Sequence, residues 1–314
     1  MKAFIFPGQG CQKEGMGSDL YKRFPKARDL FERANDFLGY KITDVMFHGT
    51  EDELMETKNT QPSVFVYETI LAQCQNDVKP DVVAGHSLGE FAALVINRTI
   101  SFEDGLNLVL NRAILGQKAC EKYATGMGAV IGLSDDYVAK RIKEIWDETG
   151  EPVYFANYNG PGQVVISGSM KGIMKACRAF KKEGAKKAVP LAIGGSFHTP
   201  YMDEAQKELG EIIKKTQFHT PAIPIYQCVD ALPHTDPDEI KENLIQHITH
   251  PVLWTDMTHH MVKDGVTGFY EVGTDDTLEK IVRRMYPYLH QQSLLDVPSY
   301  AGRIRNYKIV KEQD

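Results

Sequence analysis

The sequence predicts an α/β protein: a large domain on a parallel sheet, interrupted by a small ferredoxin-like domain. Three observations carry this. A short apolar run at 2–6 ends in the turn Pro7-Gly8-Gln9-Gly10. A second run at 81–84 passes through Gly85-His86-Ser87-Leu88-Gly89 straight into a helical pattern, and strand, glycine turn and helix in succession build parallel sheets. Between residues 126 and 194 the order of elements becomes β-α-β-β-α-β, the ferredoxin-like signature.

In chain order, residues 2–6 form the first strand, and helical patterns follow at 18–38 and 61–74. In Thr60-Gln61-Pro62, threonine serves as N-cap and proline falls in the first turn, where a missing N–H is tolerated. Residues 81–84 read as a buried strand feeding a helix at 90–96, and Ser101-Phe102-Glu103-Asp104 caps a longer helix reaching about residue 122. The insert contains a strand (127–133), a helix (135–149), two strands around Asn159-Gly160-Pro161-Gly162 (153–157 and 163–167), a helix (170–183) and a strand (187–192). The large domain is therefore discontinuous, 1–125 and 195–314, around a small domain at 126–194. It resumes with a helix at 200–216 and strands at 223–227 and 268–272. The mixed, polar segment after about residue 289 reads as a loosely packed tail.

Composition narrows the function. The 314 residues are 42% apolar and 25% charged, which suits a buried core and not a disordered chain. Thirty-six basic against 42 acidic residues leave a formal charge of -6, arguing against a nucleic-acid binder. No run approaches the roughly 20 apolar residues of a membrane span, and the N-terminus lacks a signal-peptide cleavage pattern. Five scattered cysteines without a C-x-x-C pair fit reduced thiols better than disulfides or a zinc site. The expectation is a cytoplasmic monomer that meets neither nucleic acid nor membrane.

Gly85-x-Ser87-x-Gly89 between strand and helix is a nucleophile elbow: the glycines allow a tight turn that lifts the serine hydroxyl above the strand end. The alternative is a serine that only caps the helix. A serine nucleophile needs a base. His86 sits beside Ser87 and points elsewhere, so a structural role suits it. His247/His250 and His259/His260 lack any H-E-x-x-H context and read as packing or surface residues. His198, in Gly194-Gly195-Ser196-Phe197-His198-Thr199-Pro200, lies where the chain re-enters the large domain and could reach across a cleft. Arg112 shares a helical stripe with Leu108, Leu115 and Ala119, so its guanidinium lies among apolar side chains and must find an anion. That anion is either a protein carboxylate or a substrate carboxylate held by the fork.

Four motifs stand in order: Phe6-Pro7-Gly8-Gln9-Gly10, Gly85-His86-Ser87-Leu88-Gly89-Glu90, the stretch from Asn157-Tyr158-Asn159 through Val164-Val165-Ile166-Ser167-Gly168, and Ser196-Phe197-His198. With them the chain resembles the malonyl-CoA:acyl carrier protein transacylases from residue 1 to about 286. The resemblance implies a hydrolase-like large domain with a ferredoxin-like insert, and a two-residue dyad of Ser87 and His198. It implies that the Gln246 carbonyl orients the imidazole, that the Gln9 and Leu88 N–H groups form the oxyanion hole, that Arg112 grips the malonyl carboxylate, and that Gln61 lines the pocket. Leu88 and Phe197 match the pattern that goes with malonyl over methylmalonyl. The substrates implied are malonyl-CoA and a phosphopantetheinylated acyl carrier protein, with no metal or redox cofactor. An acidic carrier protein would meet a basic patch, and Lys181-Lys182, Lys186-Lys187 and Arg283-Arg284 are the clusters available, each also readable as solvated surface.

The sequence departs from the family at Cys11 (usually serine), at Gly116 (often methionine, so a wider pocket is expected), and at Gln227 (often asparagine). Glu271-Val272-Gly273-Thr274-Asp275-Asp276 lacks the usual Pro-Gly turn, which leaves that loop's conformation open. Three other readings compete: a generic serine hydrolase, an acyltransferase acting in trans in a polyketide pathway, and a catalytically silent carrier-protein-binding subunit.

Overall fold

The structure, a computed structural model, describes residues 1–192 and 195–296. Its strands are β1 (Lys2–Phe6), β2 (Val82–Gly85), β3 (Thr125–Ile131), β4 (Val153–Gly160), β5 (Gln163–Ser169), β6 (Lys187–Pro190), β7 (Ile225–Tyr226), β8 (Pro233–His234), β9 (Gly268–Glu271) and β10 (His290–Ser293). Six of them make one sheet in the order β10-β9-β1-β2-β7-β8. It is parallel except for the pairing of β8 with β7. Successive side chains of a strand face opposite ways. Phe4 and Phe6 of β1 and Val83 of β2 therefore enter one apolar core, while Ala3, Ile5, Val82 and Ala84 enter another.

The other four strands form an antiparallel sheet, β4-β5-β3-β6, backed by helices Asp135–Thr149 and Met170–Lys182 with a separate core. Both the strand order and the alternation of helices match the ferredoxin-like expectation. The α/β fold class is thus as the sequence predicts.

Local departures have local causes. The helical pattern at 18–38 is two helices, Ser18–Arg23 and Pro25–Leu38, because Pro25 opens a new helix and cannot continue the old one. Thr60 is not a cap: the helix runs Thr57–Cys74, and Pro62 lies inside it. The Thr60 hydroxyl bonds instead to the Leu54 and Glu56 carbonyls. This helix is buried on nearly every face, which outweighs the N–H that proline removes. The segment after residue 289 is not loose throughout: β10 pairs in parallel with β9, and Leu294 is fully buried. The remainder of the expected tail lies outside the described residues.

What positions the site is the register of the two central strands. Phe6 pairs with Gly85, and the His86 N–H donates to the Phe6 carbonyl at 2.8 Å. The loops that leave the carboxyl ends of β1 and β2, one carrying Gln9 and the other Ser87, therefore emerge side by side. In open parallel sheets that edge is where ligands bind.

Candidate active site

The elbow is shaped by close approach. A Cβ on Gly85 would sit 2.0 Å from the Glu90 nitrogen, and one on Gly89 would sit 2.2 Å from the Phe6 carbonyl oxygen. Only glycine lets the helix Gly89–Ile96 start so tightly against both strands. Between them Ser87 is held at φ 52, a left-handed conformation that costs a non-glycine residue about 1–2 kcal/mol.

The Ser87 hydroxyl lies 2.7 Å from His198 Nε2. On the other side of the ring, Nδ1 faces two backbone carbonyls, His250 at 2.9 Å and His247 at 3.1 Å. Both are acceptors, so Nδ1 carries the proton and Nε2 is left bare to accept from serine. Gln246 does not play the part expected of it. Its carbonyl accepts from the N–H groups of Thr249 and His250 in the turn that closes helix Pro237–Gln246, and so faces away from the imidazole. The chain places the neighbouring His247 carbonyl there instead. Burial, and then the Arg112 charge, push the His198 imidazole down to about 3, so the ring is neutral at pH 7.

Arg112 comes from helix Phe102–Lys122, capped by Ser101 as the sequence predicts. It is 2% exposed, its Nη2 donates to Ser87 Oγ at 3.1 Å, and its guanidinium packs 5.1 Å from the Phe197 ring and 6.0 Å from Phe91. Burial lowers its pKa to about 10, which leaves it charged. Among the described residues no carboxylate lies within ion-pair distance of it, and its Nε has no hydrogen-bond partner. A buried cation without a counter-ion is costly, and this one points at the serine. Of the two anions left open by the sequence, a protein carboxylate at ion-pair distance is not found among the described residues.

Gln9, His86, Ser87, Arg112, Met127, Asn157, Phe197 and His198 line a cavity of about 60 Å³. Gln61 is fully buried one layer behind, its amide donating to Gln9 Oε1 at 3.4 Å, so it steadies Gln9 and does not line the cavity. Neither the Gln9 nor the Leu88 N–H makes a hydrogen bond among the described residues, and Leu88 heads the elbow helix. Both donors remain available to an oxyanion. Gly116 does not widen the pocket: a Cβ there would come within 2.9 Å of the Phe197 ring, which fills the space. The loop at 273–276 is tied down without its Pro-Gly turn. Thr274 Oγ1 donates to the Cys11 carbonyl, Lys13 Nζ reaches the Thr274 carbonyl at 2.5 Å, and Gly273 packs against Pro7.

Sequence reasoning missed Asn157, Asn159 and the carbonyls of His247 and His250. His86 Nε2 meets Asn159 Oδ1 at 2.7 Å and the Asn157 amide at 3.4 Å, joining the elbow to the small sheet. Two polar side chains at alternate positions of an otherwise apolar strand were the available signal.

Comparison with known proteins gives the family. A model of the acyl transferase domain matches residues 3–304. The chain belongs to the acyl transferase family. Within the family it is 36% identical over 305 residues to the malonyl CoA-acyl carrier protein transacylase of Escherichia coli, covering 96% of this chain and 98% of that one. An acyl carrier protein S-malonyltransferase structure from Vibrio cholerae superposes with a TM-score of 0.89 at 34% identity, covering 96% of this chain and 99% of the other. A malonyl-transacylase solved in complex with a type II polyketide synthase acyl-carrier protein superposes with a TM-score of 0.91 at 32% identity, covering 97% and 99%. No helix among the described residues of this family member is long and apolar enough to cross a membrane.

Proposed function

We propose that the protein is an [acyl-carrier-protein] S-malonyltransferase. It moves the malonyl group of malonyl-CoA to the phosphopantetheine thiol of an acyl carrier protein through a malonyl ester on Ser87, and supplies fatty acid synthesis. The observation that carries this reading is Arg112, a buried cation without an ion-pair partner among the described residues and in hydrogen-bond contact with the hydroxyl of a serine–histidine pair. A neutral acyl group would leave that charge unmatched, whereas a malonyl carboxylate accepts its fork.

The steps follow from the geometry. His198 Nε2 takes the Ser87 proton as Oγ attacks the thioester carbonyl, and the His247 and His250 carbonyls stabilise the imidazolium through Nδ1–H. The Gln9 and Leu88 N–H groups receive the oxyanion, each such donor being worth roughly 3–4 kcal/mol. The imidazolium then gives its proton to the departing CoA thiol. In the second half-reaction the same imidazole takes the proton of the carrier thiol, the sulfur attacks the serine ester, and the imidazolium returns the proton to Ser87 Oγ as the ester C–O bond breaks. Phe197 and Leu88 favour malonyl over the bulkier methylmalonyl. Lys186 and Arg284 line a cleft of about 690 Å³ at the edge of the small sheet, which suits an acidic carrier protein.

A hydrolase built on the same elbow would hold its histidine with a carboxylate; here both partners of Nδ1 are backbone carbonyls. Intact-mass spectrometry after mixing with malonyl-CoA should show one malonyl adduct, lost completely in Ser87→Ala and released by holo carrier protein. An adduct that survives in the variant would remove Ser87 from the mechanism.

A further inference from the structure

Behind the dyad, outside the lining of the cavity, lies a cluster whose side chains acyl transfer does not use. Glu90 of the elbow helix, Cys228 after β7 and His247 after helix Pro237–Gln246 are all buried, and their ligand-type atoms lie within 4.8 Å of one another. We infer that Glu90, Cys228 and His247 form a binding site for a thiophilic divalent cation, Zn²⁺ in particular.

The residue that points to a ligand is His247. It is 1% exposed, and neither of its ring nitrogens has a hydrogen-bond partner of good geometry among the described residues. Its Nε2 lies 3.9 Å from Glu90 Oε2. A buried imidazole left without partners is expensive, and a metal bond removes the cost. The other two groups are already oriented. Glu90 Oε1 accepts from the Gln227 amide at 3.0 Å and Oε2 from the Cys228 N–H at 2.9 Å, the kind of outer contact that aims a metal-bound carboxylate. Cys228 Sγ rests on the Gly85 carbonyl at 3.0 Å, and the His247 ring packs edge-on against Phe91.

Donor chemistry chooses the ion. Sulfur and imidazole nitrogen with one carboxylate suit Zn²⁺ and disfavour Mg²⁺ or Ca²⁺. With metal–ligand bonds of about 2.0–2.3 Å, tetrahedral ligand atoms sit roughly 3.5 Å apart, so the cluster needs to contract by about 1 Å. Charge balances as well: one thiolate and one carboxylate offset the two positive charges, and the Cys228 proton leaves to solvent as the bond forms. Burial pushes the Cys228 thiol up, and the Arg112 charge opposes this in part. Because the His247 carbonyl holds His198 Nδ1, an ion here would also stiffen the base of the catalytic pair.

The test uses the full chain expressed in medium supplemented with Co²⁺ or Zn²⁺ and then desalted against a weak chelator. Elemental analysis should find about one ion per chain, and the cobalt form should show a thiolate-to-metal absorption band. Cys228→Ser should abolish the band, and the near-isosteric His247→Gln should weaken retention at least about tenfold. A folded wild-type protein that retains less than a tenth of an equivalent of either ion overturns the proposal whatever the variants do. Retention unchanged in both variants overturns it too.

Discussion

The two halves of the proposed catalytic pair reach the same unusual backbone conformation by different routes. Ser87 at φ 52 and His198 at φ 62 are both left-handed non-glycine residues. Ser87 is held between the glycines two positions to either side: Gly85 lies against the Glu90 nitrogen and Gly89 against the Phe6 carbonyl, with no room for a side chain at either. His198 is held by distant chain, with its N–H donating to the Ile248 carbonyl at 2.9 Å and its ring to His247 and His250. A buried hydroxyl network, Ser167–Ser196 at 2.8 Å and Ser196–Thr199 at 3.0 Å, ties its flanks to β5. A nucleophile positioned locally can be read from five residues; a base positioned from afar cannot.

Arg112 touches both regions, through Ser87 Oγ and the Phe197 ring, so its removal gives the largest change in specificity. Arg112→Ala is expected to lower kcat/KM for malonyl-CoA by about 10²- to 10³-fold and to raise acetyl-CoA use relative to malonyl-CoA. Unchanged malonyl kinetics would return the residue to a structural role.

Gly89→Ala tests the local half. The added methyl meets the Phe6 carbonyl oxygen at 2.2 Å, where only backbone can give way, and should cost about 2–4 kcal/mol of stability in denaturant unfolding. A melting temperature within a degree of wild type would show that the elbow tolerates a side chain.

Thr199→Val tests the distant half. It deletes buried hydrogen bonds to Ser196 Oγ and the Ser196 carbonyl and should cost about 1–2 kcal/mol. The expected kinetic signature is a severalfold lower kcat at nearly constant KM, because a loosened His198 loses alignment before substrate contacts change. A pure KM effect would argue against the network as a support for the base.

The smallest effect concerns pH. Burial and Arg112 lower the His198 pKa to about 3, and neutral imidazole is the reactive form. Acidification therefore protonates it only far below the ordinary histidine range. The kcat/KM for serine acylation should vary less than about twofold from pH 7.5 to 5.5, whereas a base titrating near 6.5 would lose roughly nine-tenths of it. A stopped-flow profile breaking near 6.5 would show that the ring is wetter than its burial implies.

Much of the site was legible because its chemistry is tied to side-chain identity. Ser87, His198 and Arg112 are residues whose types are informative wherever they fall, and the stripe Leu108–Arg112–Leu115 already implied a buried guanidinium. Backbone roles were harder to read. Every residue owns a carbonyl, and which one faces His198 depends on the turn after helix Pro237–Gln246, so the expectation fell on Gln246, one position early. Gly116 misled for a related reason: a missing side chain is empty space only if no neighbour leans into it, and Phe197 does. The five cysteines are free thiols, as the sequence reading has them, but the nearness of Cys228 to His247 is hidden in the sequence by the eighteen residues between them.

By itself the sequence determined the parallel α/β class, the ferredoxin-like order of the second sheet and the strained serine turn. Each of these is written in neighbours a few positions apart, through hydrophobic period and glycine spacing. Tertiary structure alone decided that Arg112 has no ion-pair partner among the described residues, that two backbone carbonyls hold the imidazole, and that the loop at 273–276 is fastened to the Gln9 loop. Those are relations between segments far apart in the chain, and only the packing of one core against another sets the distances on which charge and hydrogen bonding depend.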